Sequence, residues 1–71
     1  MNKYYVIVYK TEAYAVEKVK DILARHNIIL DYHQVTRSLV APLEQGVLTI
    51  NCYKYGTPPN LNEVDAVYTE S

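Results

Sequence analysis

Apolar side chains along this chain switch between two-residue and helical spacing, with two lapses. Lys3 to Tyr9 (Lys-Tyr-Tyr-Val-Ile-Val-Tyr) joins β-branched and aromatic residues without Gly or Pro, and predicts a strand. From Glu12 to Arg25, Val16, Val19, Ile22, Leu23 and His26 recur at three- and four-residue spacing, while Glu17, Lys18, Lys20, Asp21 and Arg25 fall mostly elsewhere. The spacing predicts an amphipathic helix of about four turns, capped by Thr11 and ended by Asn27, a residue that tolerates the left-handed conformation. Ile28 to Thr36 predicts a second strand. The pattern lapses between Arg37 and Gly46 into a connection with an apolar middle, and Val47 to Tyr55 predicts a third strand. Gly56-Thr57-Pro58-Pro59 stops it, because proline has no donor for a ladder.

The segment after the prolines supports two readings. Asn60 with Glu63 resembles a capping box, and Leu61, Val64, Val67 and Tyr68 fall at helical spacing, which predicts a short helix. The alternation of Val64, Ala66 and Tyr68 serves a strand equally well.

Strand, helix, strand, strand opens a ferredoxin-like unit, so the expectation is a single α+β domain over residues 1–71. This is a βαββ sandwich with one antiparallel or mixed sheet, one main helix on one face, and a short helix or fourth strand at the end. A right-handed crossover places the third strand between the first and second. Even-numbered Val6, Val8, Leu48, Ile50 and Cys52 are then expected under the helix. Odd-numbered Tyr5, Ile7, Tyr9, Thr49, Asn51, Tyr53 and Tyr55 point away. With no fourth strand, Lys3 to Tyr9 is an apolar sheet edge that needs a cover, either residues 64–69 or the same edge of a second copy.

Composition sharpens one part of this picture. All aromatic residues are tyrosine, eight of them, with no Phe or Trp in 71 residues. A buried tyrosine hydroxyl must find a partner, so tyrosine suits half-buried positions. The expected binding face is Tyr5, Ile7, Tyr9, Asn51, Tyr53 and Tyr55, acting as rigid anchors for a protein partner or a second copy. Base stacking and a merely wet sheet are the competing accounts. The net charge of −1 lacks the basic footprint of a nucleic-acid binder, and Gln45 to Cys52 lacks the interior aromatics of the sheet-based RNA readers. Residues 1–40 carry six Lys or Arg against four acids, and residues 41–71 one against four, a mild acidic shift. Leu39, Val40 and Leu43 form an apolar loop that marks a second contact. Arg37, Ser38 and Lys54 could receive an anion, against the plainer account of a solvated loop.

Little other chemistry is indicated. One cysteine, Cys52, leaves no internal disulfide, and His26, Asp31 and His33 are too few for a metal site, so neither metal nor cofactor is expected. Ser38 and Thr57 have no nucleophile motif around them, and no catalytic residue is expected. Cys52 is expected to be an inert thiol beneath the helix. With no signal-peptide layout and no apolar run near the ~20 residues of a membrane span, the expectation is a soluble, cytoplasmic chain. So small a domain leans on staples or on association, and a homodimer is expected.

Lys3-Tyr4-Tyr5-Val6-Ile7, Lys10-Thr11, Ala15-Val16-Glu17-Lys18-Val19, Ile22-Leu23 and Thr36-Arg37-Ser38 together resemble a family of short bacterial proteins described as selenium or sulfur carriers. The resemblance implies a related fold, and a carrier thiol in a Ser-rich Cys-Gly step after the arginine. Here that place reads Leu39 to Gln45 before Gly46, and Cys52 comes later. The expected function is a small non-enzymatic binding or regulatory module acting through the tyrosine face on an unidentified protein, of a size that suits a phage- or mobile-element-encoded inhibitor. The alternatives are a thiol-based carrier using Cys52 and a weak single-stranded nucleic-acid binder.

Overall fold

The structure, a computed structural model, describes residues 2–29, 39–56 and 64–71. Five elements follow in chain order: β1 (Lys3–Tyr9), α1 (Glu12–Arg25), β2 (Leu39–Leu43), β3 (Gly46–Lys54) and β4 (Ala66–Thr69). The four strands form one mixed, open sheet in the order β2-β3-β1-β4, with β3 between β1 and β2; this β2 runs antiparallel to β1 and is not the strand, Ile28 to Thr36, to which the crossover argument applies. β1 runs parallel to both β3 and β4, and β2 runs antiparallel to β3.

The helix begins where the sequence says it should. Thr11 is the N-cap, its hydroxyl accepting from the Tyr14 N–H at 3.3 Å, and Ala15, Val19, Ile22 and Leu23 are its buried stripe. His26 occupies the C-cap, and Asn27 follows with φ of 60°, the left-handed step that asparagine accepts. The predicted second strand, Ile28 to Thr36, lies almost wholly outside the described residues, and Ile28 and Ile29 are not in a strand.

Two expectations are corrected. Leu39 to Leu43 is not a loop but strand β2, joined to β3 by the two residues Glu44 and Gln45. Proline 42 misled the pattern: a sheet edge tolerates proline because its missing donor faces outward. Of the two readings of the last segment the strand holds: Ala66–Thr69 pairs with β1, which supplies the ladder on which alternating residues can pair. β1 is consequently central, not an edge, and the segment after residue 63 is its cover, in the same chain.

The second correction concerns the faces. β1 pairs with β3 in a register that sets Tyr5 beside Ile50 and Ile7 beside Cys52, so odd positions of β1 share a face with even positions of β3. The core under the helix is Ile7, Leu48, Ile50 and Ala41 against Val19, Ile22 and Leu23, with Tyr5, Tyr9, Leu39, Leu43, Cys52 and Tyr68 packed around it. The expected positions on β3 are correct, and those on β1 are inverted. Val6, expected beneath the helix, lies on the opposite face and is nonetheless fully buried, as is its neighbour Ile7. Consecutive buried residues are what a central strand of a mixed sheet shows when both faces are covered.

Candidate functional site

The expected tyrosine face does not exist as one surface. Tyr5, Ile7 and Tyr9 turn toward α1, and only Asn51 and Tyr53 of the expected set stand on the opposite side of the strands. Tyr55 lies beyond the end of β3, 54% exposed, with the Lys10 ammonium 4.6 Å from its ring centre. The cause is the odd register offset between β1 and β3, which no composition argument contains.

What the tyrosines do instead follows from their hydroxyls. Tyr5 packs its ring beside the core and sets its hydroxyl 3.4 Å from His26 Nε2. Tyr68 accepts from Arg25 Nη1 at 2.6 Å, and the Tyr5 and Tyr68 rings lie 6.5 Å apart, so these four residues bind the end of α1 to β1 and β4. On the other side of the sheet the Tyr4 hydroxyl meets the Asn51 amide, next to Val6. Each ring covers apolar atoms while its oxygen stays within reach of a polar group, which phenylalanine could not do.

The strand residues on the side of the sheet away from α1 are uncharged. That side carries Tyr4, Val6 and Val8 from β1; Val40 and Pro42 from β2; Val47, Thr49, Asn51 and Tyr53 from β3; and Val67 and Thr69 from β4. Both strand lysines, Lys3 and Lys54, stand on the helix side instead. Its most open part is the β2–β3 hairpin, where Val40 pairs with Thr49 and Pro42 with Val47. Val40 is 63% exposed and Val47 38%, and Pro42 between them is exposed as well. Of the expected contact residues Leu39, Val40 and Leu43, only Val40 belongs to this patch, because Leu39 and Leu43 turn to the core. Pro42 and Val47 were not singled out from sequence, and strand pairing is what joins them.

A second constellation, also missed from sequence, brackets β4. At its start Asp65 takes the Tyr4 N–H on its carboxylate at 2.7 Å and gives its own N–H to the Tyr4 carbonyl at 2.7 Å, with Lys3 Nζ 3.9 Å away. At its end the Glu70 carboxylate accepts from the backbone N–H groups of Lys10 at 2.7 Å and Thr11 at 3.0 Å, while the Glu70 N–H donates to the Val8 carbonyl at 2.9 Å. Glu70 thus meets the unpaired N–H groups ahead of α1, where a negative charge is favoured. The Lys10 N–H holds its carboxyl below the ordinary value.

The remaining candidates sort quickly. Arg37 and Ser38 lie outside the described residues, as do Asp31, His33 and Thr57; Lys54 is exposed at the end of β3, opposite Tyr9. Cys52 is half-buried at the rim of the core, and burial pushes its thiol up to about 11, so it stays protonated at neutral pH. Among the described residues, no group of three or more His, Cys, Asp or Glu could hold a metal ion, and no helix is long and apolar enough to cross a membrane. Compared with known proteins, the chain matches no family, no curated protein and no solved structure.

Proposed function

We propose that this chain is a small protein-contact module of ferredoxin-like character, acting by binding and not by catalysis, through the uncharged outer side of its β2–β3 hairpin. The observation that carries the reading is the adjacency of Val40, Pro42 and Val47 on a sheet side with no charged strand residue. Contiguous exposed apolar positions of this kind mark contacts on small proteins, and depletion of charge is typical of interface centres. The occupant this chemistry fits is an uncharged, apolar surface of a protein partner, since a charged one would lose its hydration there without compensation. Pro42 closes the β2 edge to strand addition, so the partner sits on the face and not along the edge. The ferredoxin-like reading is supported by the strand order, with β3 between β1 and β2 and α1 following β1; the parallel pairing of β1 with β3 departs from it. The parallel β4 departs from it too.

Affinity capture from the native host tests this with two baits, the wild-type chain and a Val40→Lys, Val47→Lys variant. A specific protein retained by the first and lost from the second, with unchanged melting temperature, is the expected result. Equal retention on both baits would overturn the assignment.

A further inference from the structure

We propose that the β1 edge is a strand-docking slot whose resident occupant, residues 64–71, is exchangeable for the same segment of a second copy of this chain. The surface is distinct from the hairpin patch and the inference does not depend on it. Four observations carry it.

First, β4 contributes nothing to the fully buried core. Among the described residues, every buried one comes from β1, α1, β2 or β3; Ala66 and Tyr68 are half-buried, and Val67 is 42% exposed. An element with so little buried apolar surface is among the first to open locally. Second, its attachment is end-weighted and polar, through Asp65 on Tyr4 and Glu70 on Lys10, Thr11 and Val8. These bonds specify one partner sequence, two acids five positions apart flanking Ala-Val-Tyr-Thr, and the chain itself supplies it.

Third, the connection is short for its task. β3 ends with Lys54 beside Tyr9, and β4 starts with Ala66 beside Tyr5 on the other side of β1, with eleven residues between them in sequence. Parallel strands are normally linked by about a dozen residues or more. Short hinges are the ones that invite exchange between copies, because a neighbour's segment fills the slot without the short link. Fourth, opening leaves Lys3–Tyr9 as a proline-free edge of β-branched and aromatic residues, a template that calls for a strand.

The test uses two full-length chains, each with Cys52→Ala, one carrying Val8→Cys and the other Thr69→Cys. Positions 8 and 69 are register partners on the same side of the sheet. Adjacent strands lie about 4.8 Å apart, within the span of about 4.4–6.8 Å that a disulfide bridges. The two chains are mixed, incubated in dilute or concentrated solution, oxidised and weighed by mass spectrometry. Exchange predicts a heterodimer cross-linked between positions 8 and 69, several-fold above either homodimer and rising with concentration. Adding Asp65→Asn and Glu70→Gln to the Thr69→Cys chain should reduce it, and Val40→Lys should not. A statistical mixture of cross-links from folded chains would overturn the proposal. If a cysteine variant fails to fold, isotope-filtered NMR on mixed labelled and unlabelled wild-type chain replaces it. Contacts between Val6 of one copy and Val67 of another support exchange, and their absence in concentrated solution refutes it.

Discussion

Ile7 carries the correction that matters most at the scale of single residues. Sequence parity puts it on the outer face, whereas it is fully buried against Leu48, Ile50 and the helix stripe. Ile7→Val should therefore cost about 0.5–1.5 kcal/mol, and Ile7→Ala about 2–5 kcal/mol, in a denaturant titration. Tyr53→Ala, half-buried on the side away from α1, should cost distinctly less than Ile7→Ala. A reversed order would restore the parity read from sequence. That parity was not legible because β1 has apolar residues at both odd and even positions from Tyr4 to Tyr9. An alternating strand declares its buried face, but a central one does not. On β3 the alternation of Leu48, Ile50 and Cys52 with Thr49, Asn51 and Tyr53 was clear, and the expectation there is correct. Cys52 should react slowly with a thiol reagent at neutral pH in the native chain and rapidly once unfolded. Rapid stoichiometric labelling of the native chain would restore the carrier reading.

Among the elements, β1, α1 and β3 were legible because each concentrates one periodicity between clear stops. Thr11 and Asn27 bound the helix, and Gly56 follows β3. β2 was not, and β4 was legible only as one of two readings. β2 contains a proline that only an edge position explains, and β4 has four residues whose ladder depends on a strand some sixty positions away. The candidate site was half legible: Val40 stood out as exposed apolar sequence, but its neighbours Pro42 and Val47 come from pairing. The acids that bracket β4 lend it a pH dependence with a definite sign. The Glu70 carboxyl is held below its ordinary value of 4.5, chiefly by the Lys10 N–H that it accepts. A group whose folded pKa is depressed contributes its stability in full above the unfolded value, and loses it as pH falls through the folded value. In thermal melts, Glu70→Gln should be less stable than wild type at neutral pH, and the gap should narrow as pH drops below 4.5. A gap constant with pH would mean that the carboxylate charge contributes nothing there.

The described residues form one helix laid on one four-stranded sheet, and the two sheet edges are protected differently. β2 is blunted by Pro42, and β4 by being short. A chain of 71 residues buries only about 60% of its unfolded surface, so few kilocalories separate the folded state from its competitors. The order in which contacts form therefore matters. β1 and α1 adjoin in sequence and β2 and β3 share a two-residue turn, but Tyr4 meets Asp65 across 61 positions. Loop closure makes so distant a pairing slow to form, and no buried side chain of β4 helps to nucleate it. On the exchange proposal, a chain whose β4 has yet to dock holds β1 paired with β3 on one side and unpaired on the other, and protein concentration decides which copy's β4 fills that side.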